Sequence, residues 1–137
     1  MQGSLAGFVL FVIVLILGED RMLTISAMGA TTFIVFAMPR AVSAQTRNVI
    51  GGHLVGLACG MIFLYIGLPY YVEFPLAVML VFILMVALDV EHPPAAGTAL
   101  AVLANEVQLN AFITIMVAAV LLSQCRYFVK KYLKDLM

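Results

Sequence analysis

The sequence contains few charged residues and is dominated by hydrophobic ones. Only 10% of its 137 residues are Asp, Glu, Lys or Arg, whereas 65% are hydrophobic, and the mean hydropathy is +1.16. Soluble domains have roughly 25% charged residues, so this chain has too little polar surface for a water-facing exterior. The composition therefore predicts an integral membrane protein whose first partner is the lipid bilayer.

Other scarcities exclude further classes of function. The formal net charge is zero and no lysine precedes Lys130, so nucleic acid is not expected as a partner. Cys59 and Cys125 lie alone in apolar stretches, which predicts packing rather than a disulfide or a zinc site. Because no nucleophile elbow, phosphate loop or HExxH motif occurs, we expect no enzyme, no cofactor and no metal.

Charges, glycines and prolines divide the chain into six apolar segments. They lie near residues 3–18, 22–38, 44–67, 74–88, 94–104 and 109–129. A helix needs about 20 residues to cross a hydrocarbon core of about 30 Å, and the third and sixth segments meet that requirement. The first and fourth need flanking residues, and the fifth is too short to cross alone. No basic residue precedes the first segment and a poor cleavage site follows it, which favours a spanning helix over a signal peptide.

The expected fold is an all-α, polytopic helical membrane bundle with one domain over residues 1–137. Its six segments form two long-short-long halves, and the short segments are expected to be half or broken helices. Gly29 and Gly97 lie 68 residues apart, and Ala27 and Ala95 share that offset. This spacing indicates an internal repeat of 1–68 and 69–137, or else a coincidence among common small residues. Paired short, Gly- or Pro-interrupted segments are typical of transporter sites.

Basic residues indicate the orientation of the chain. They cluster near the C-terminus and in the loop before the third segment, as Arg126, Lys130, Lys131 and Lys134, and as Arg40 and Arg47. Six crossings place both clusters on the same side, which the positive-inside rule makes cytoplasmic. We therefore expect both termini in the cytoplasm and a multi-pass protein of a prokaryotic plasma membrane.

Two separated motifs carry a family resemblance. One is Glu91-His92-Pro93-Pro94-Ala95-Ala96-Gly97-Thr98-Ala99-Leu100, and the other is Met28-Gly29-Ala30-Thr31, then Pro39, then Gln45-Thr46-Arg47-Asn48-Val49-Ile50-Gly51-Gly52-His53-Leu54. From about Leu5 to Leu122 the chain resembles the HPP family of small integral membrane proteins. The family is commonly described as having four crossings, and members have been linked to nitrite movement into plastids and cyanobacterial cells. The resemblance thus implies transport of a small inorganic anion, with nitrite the candidate.

The two prolines predict a break in the helical backbone. Pro94 suits a first helical turn, and Pro93 removes another backbone donor, so no regular helix continues through them. We expect free N–H groups at Ala95, Ala96 and Gly97, where the positive end of a half-helix suits an anion. The alternative is a tight turn at the membrane surface with a solvated His92.

Asp89 and Glu91 complicate the anion interpretation. Two carboxylates before the half-helix would repel an anion unless they are protonated or paired. A carboxylate beside His92 would favour the protonated imidazole, which makes Asp89, Glu91 and His92 candidates for proton or charge coupling. Otherwise both acids simply face water.

The third segment supplies further candidates. Arg47 and Asn48 offer donors for an oxyanion or a carboxylate, or Arg47 anchors the chain at the headgroups. Gly52, Gly56 and Gly60 recur every fourth residue, which predicts close helix packing. His53 is costly to leave unpaired in an apolar helix, so it is expected to form a structural hydrogen bond or to take part in transport.

Together these residues define one candidate substrate site and leave three functions open. The predicted substrate-binding residues are Ser26, Gly29, Ala30, Thr31, Arg47, Asn48, His53, His92, Pro93, Pro94, Ala95, Ala96, Gly97 and Thr98. The first function is a transporter or channel for a small anion. A homo-oligomer is expected with it, because so small a bundle with glycine-rich faces gains burial by association. The others are a non-transporting sensor or assembly module, and a proton or cation pathway centred on Asp89, Glu91 and His92.

Overall fold

The structure is a computed structural model that describes residues 1–17, 21–105 and 109–136, without the side chains of 16–26 and 105–111. Within these ranges the chain is helical and has no strand, which confirms the predicted all-α bundle of six segments. The helices are α1 (Gln2–Leu17), α2 (Arg21–Ala37), α3 (Thr46–Ile66), α4 (Tyr70–Ala87), α5 (Pro94–Asn105) and α6 (Leu109–Val129). Short 3₁₀ turns cover Val42–Ala44 and Lys130–Tyr132.

The helices differ in their ability to cross a bilayer. By length and composition, Thr46–Ile66, Tyr70–Ala87 and Phe112–Tyr132 can each span one, among the described residues. The 12 described residues of α5 are about 18 Å long, which is little more than half of the hydrocarbon core. In the first half, the described parts of α1 and α2 have similar lengths, 16 and 17 residues, and α2 runs without a break. Only the second half thus has a helix as short as α5 among the described residues.

Contacts between distant segments fix the direction of the helices. Gln2 Nε2 donates to the carbonyls of Phe36 and Lys134, each at 2.7 Å, which joins the start of α1 to the end of α2 and to the C-terminal segment. Arg126 near the end of α6 donates through Nε to the Pro39 carbonyl at 2.9 Å. The starts of α3 and α5 meet the end of α4 at this same end of the bundle.

We call this the basic end of the bundle. Odd-numbered helices begin there and even-numbered helices end there. Each helix of the first half, α1–α3, therefore runs opposite to its counterpart in the second half, α4–α6. Every lysine and arginine of the chain except Arg21 belongs to the basic end, namely Arg40, Arg47, Arg126, Lys130, Lys131 and Lys134. The bundle therefore combines inverted halves with a one-sided distribution of positive charge.

Glycines allow α3 to lie directly against α5 and the loop before it. A Cβ added at Gly52 would lie 2.6 Å from the Cβ of His92, and one at Gly60 would lie 2.7 Å from the Cβ of Val102. At Gly56 the added Cβ would overlap the backbone carbonyl oxygen of Ala95. This close approach brings the His53 side of α3 next to the start of α5.

The loop between α4 and α5 begins with a Schellman motif. Val90 N–H donates to the Met85 carbonyl and Asp89 N–H donates to the Val86 carbonyl, at 2.9 and 3.2 Å. Asp89 has a φ of 54°, the left-handed conformation that this motif requires and that a short polar side chain tolerates. The chain then turns back, and α5 begins at Pro94, whose fixed φ and missing N–H suit the first helical position.

Candidate functional site

His92 lies inside the protein, although it belongs to a loop. Its side chain is 0% exposed. Nδ1 lies 2.7 Å from the Ser43 carbonyl oxygen, and Nε2 lies 3.1 Å from the Thr31 hydroxyl oxygen. A carbonyl oxygen only accepts hydrogen bonds, so Nδ1 of His92 carries a proton and donates it. The solvated His92 that a surface turn would give is therefore not what the structure shows.

His53 lies beside His92, on the face of α3 that meets α2 and α5. It is also 0% exposed. Its Nε2 lies 2.9 Å from the Thr31 hydroxyl, and its Nδ1 lies 2.8 Å from the Thr98 hydroxyl. The centroids of the two imidazole rings are 5.0 Å apart. Thr31 is thus shared by both histidines, and we call His53, His92, Thr31 and Thr98 the dihistidine cluster.

The dihistidine cluster lies at depth in the bundle. His53 is seven residues from the first residue of α3, which places it about 10 Å from the basic end along the helix axis. Thr31 and Thr98 are also 0% exposed. Buried polar side chains in a membrane bundle are costly unless they are hydrogen-bonded, and these four bond to one another and to the Ser43 carbonyl.

The backbone at the start of α5 differs from the prediction. Ala95 N–H donates to the His92 carbonyl at 2.9 Å, and Ala96 N–H donates to the Pro93 carbonyl at 3.2 Å. The prediction of free amides at Ala95 and Ala96 is therefore wrong, because the turn before Pro94 supplies its own acceptors. Imidazole and hydroxyl groups, rather than backbone amides, are the polar groups gathered at the helix break.

Arg47 and Asp89 form an ion pair at the surface. Arg47 Nη2 lies 2.5 Å from Asp89 Oδ2, and their side chains are 59% and 75% exposed. Glu91 is exposed and lines, with His92 and Pro93, an open groove of about 220 Å³ against α4. Because Arg47 compensates the charge of Asp89, this carboxylate repels an anion less than an unpaired one would. Glu91 has no such compensation from this ion pair.

Asn48 has an unused acceptor next to the cluster. It is 1% exposed, and its Nδ2 donates to the Glu91 carbonyl at 3.2 Å. Its Oδ1 has no hydrogen-bond partner. Asn48 lies one helical turn before Gly52, which contacts His92. A buried amide oxygen in this position suits a donor such as water or a protonated ligand.

The remaining predicted residues contribute less to the geometry. Ser26 has a side chain outside the described residues. Gly29 meets nothing within 4 Å of an added Cβ, and Ala30 is exposed, so neither lies in the dihistidine cluster. Gly97 also faces open space, whereas Pro94 is buried and Pro93 is exposed. The prediction missed the Ser43 carbonyl, because a backbone acceptor leaves no signal in residue type or spacing.

The cluster is not arranged as a metal centre. Among the side chains that the structure describes, no group of three or more His, Cys, Asp or Glu could hold a metal ion. Both Nε2 atoms are turned to the Thr31 hydroxyl rather than to a common empty point. The arrangement is suited to exchanging protons and hydrogen bonds.

Six apolar helices around a buried polar cluster define a polytopic helical membrane protein. The chain belongs to the HPP family, because the model of the HPP transmembrane region matches residues 1–134. Over 88 residues it is 32% identical to a curated transmembrane protein of Dictyostelium discoideum. The matched segment covers 61% of this chain and 31% of that protein. The chain thus spans less than a third of that relative's length. No solved structure matches.

Proposed function

We propose that this protein moves a small inorganic anion across the plasma membrane, with nitrite the candidate that its family suggests. The observation that carries the proposal is the dihistidine cluster, fully buried about 10 Å inside the bundle where a short helix begins. Ionisable groups at membrane depth are rare and usually mark the path of a substrate, an ion or a proton. No catalytic role is proposed.

The arrangement of the helices supports the proposal. Transporters often combine two inverted halves with discontinuous helices whose ends meet near the middle of the membrane. Here each helix of α1–α3 runs opposite to its counterpart in α4–α6, and the short helix α5 begins beside the dihistidine cluster. The internal repeat of 1–68 and 69–137 stays a prediction, because the first half has no helix as short as α5 among the described residues.

The charge distribution supports a cytoplasmic basic end. The positive-inside rule places loops rich in Lys and Arg in the cytoplasm, and all but one of these residues lie at the basic end. We therefore propose that both termini face the cytoplasm. A homo-oligomer also stays a prediction, and glycine-rich packing lends it no support because Gly52, Gly56 and Gly60 face α5 and the loop before it.

A flux assay with several ions tests the proposed function. In liposomes that contain the purified protein, we expect nitrite flux roughly tenfold or more above protein-free liposomes, because the cluster replaces hydration that lipid cannot supply. Potassium flux should stay at the protein-free level. Flux of potassium, or of protons without an anion, would favour the cation pathway, and no flux of any small ion would favour the non-transporting module.

A further inference from the structure

Thr31 has more hydrogen-bond partners than one hydroxyl proton can serve. Its oxygen lies 3.0 Å from the Ala27 carbonyl, 2.9 Å from His53 Nε2 and 3.1 Å from His92 Nε2. A hydroxyl donates one proton and accepts at two lone pairs. The number of protons in the cluster therefore decides which of these contacts are hydrogen bonds.

With both rings neutral, one arrangement satisfies all four ring nitrogens. His92 Nδ1–H donates to Ser43, so its bare Nε2 must accept the Thr31 proton. His53 must then donate through Nε2–H to the Thr31 oxygen, and its bare Nδ1 accepts the Thr98 proton. In this state Thr31 has no proton left for the Ala27 carbonyl.

One added proton makes all the contacts of Thr31 compatible. When it binds Nε2 of His92, this nitrogen donates to the Thr31 oxygen, and the Thr31 O–H turns to the Ala27 carbonyl at 3.0 Å. The proton comes from a hydronium ion that enters the Glu91 groove. One O–H bond of the hydronium breaks and leaves water as the N–H bond forms at Nε2 of His92, and no other covalent bond changes. The cluster can therefore accept one proton with a single rotation of the Thr31 hydroxyl.

A buried imidazolium needs an anion beside it. A lone charge away from water is costly, and the cost falls when an opposite charge is bound nearby. The groups that hydrogen-bond the two rings are Thr31, the Ser43 carbonyl and Thr98, all neutral, while Arg47 is paired with Asp89 at the surface and Glu91 is exposed at the groove. Proton and anion therefore favour each other's binding, and such coupling is reciprocal.

We propose that the dihistidine cluster takes up one proton on His92 with each anion, so that the anion crosses as an electroneutral pair with a proton. This inference deepens the proposed function and rests on it for the transport step. The ligand class is the conjugate base of a small weak acid, since such an anion can be carried together with its proton.

The test measures nitrite and proton movement together. Proteoliposomes hold a trapped pH dye, the membrane potential is clamped with potassium and valinomycin, and the protein-free leak of nitrous acid is subtracted. Wild-type protein should acidify the lumen as nitrite enters, at a rate that the clamped potential does not change. Nitrite flux that follows the clamped potential without acidification would overturn the inference.

Two neighbouring threonines provide matched variants. Thr31→Val removes the shared hydroxyl and should reduce proton-coupled nitrite flux roughly tenfold, the loss of about one hydrogen bond in free energy. Thr31→Ser should restore it. Thr32→Val is the control, because Thr32 is also buried but donates only to the Met28 carbonyl in its own helix, at 2.7 Å. Equal coupled flux in Thr31→Val and Thr32→Val would contradict the inference.

A second readout separates the inference from the proposed function. Absence of nitrite flux in wild-type protein refutes the proposed function, and the proton site is then judged by ¹⁵N NMR of the histidines in lipid. On acidification in the presence of nitrite, His92 should gain a second N–H before the protein unfolds, and Thr31→Val should suppress this change. No second N–H at His92 would overturn the inference.

Discussion

Gly56→Ala is expected to destabilise the protein more than alanine at any other glycine of α3. The added Cβ would overlap the carbonyl oxygen of Ala95, which belongs to the backbone and has no rotamer to change. Relief requires α3 and α5 to separate, and overpacking of this kind costs about 1–3 kcal/mol or more. Since α5 carries Thr98, the contact between Thr98 and His53 should also be lost.

Thermal unfolding in detergent measures this effect, with Gly97→Ala as the matched control. An added Cβ at Gly97 meets nothing within 4 Å, so that variant should be neutral or gain up to about 1 kcal/mol from helix propensity. The difference between the two midpoints should be several degrees. If Gly56→Ala unfolds at the same temperature as Gly97→Ala, the close packing of α3 on α5 is incorrect.

His53→Leu is expected to reduce nitrite flux by roughly tenfold to a hundredfold, the equivalent of about 1.5–3 kcal/mol for hydrogen bonds that serve a charged group. His53 is a positioning residue, because it holds the Thr31 hydroxyl at 2.9 Å where this hydroxyl can serve His92. Without it, Thr31 is free to donate permanently to the Ala27 carbonyl. The expected loss therefore affects proton coupling as well as the rate.

Folding must be checked independently for this variant, since His53 is fully buried. Leucine leaves the buried Thr31 and Thr98 hydroxyls without their His53 partner. We therefore expect His53→Leu to keep the chromatographic profile of Thr32→Val but to unfold at a lower temperature, by the cost of about one to two unpaired groups. His53→Gln retains a donor and should recover part of the flux. Wild-type flux in a folded His53→Leu protein would show that the cluster has no role in transport.

The helices were largely predictable because their signals are local. Apolar length, charged interruptions and Pro93-Pro94 place all six segments, and Gly52, Gly56 and Gly60 mark a close-packed face by their spacing alone. The end of α4 was harder to predict from the sequence. Asp89 suggests charge chemistry in the sequence, whereas in the structure it takes the left-handed position that closes the helix.

The candidate site was predicted as a set of residues and not as a geometry. Thr31, His53, His92 and Thr98 were all among the candidates, yet no periodicity relates positions on three helices and a loop. Their meeting depends on tertiary packing, in particular on the approach of α3 to α5 that the glycines allow. The local turn at His92 and Pro93 likewise determines that the Ala95 and Ala96 amides are bonded rather than free.

The most direct test of a proton-linked anion site is ¹⁵N NMR of histidine-labelled protein in lipid, because the chain has only two histidines and thus four ring nitrogens. Without an anion near neutral pH, we expect two N–H and two bare nitrogens, with Nδ1 of His92 protonated. With nitrite at mildly acidic pH, one bare nitrogen should become N–H. Ring signals that nitrite leaves unchanged at every pH where the protein stays folded would contradict such a site.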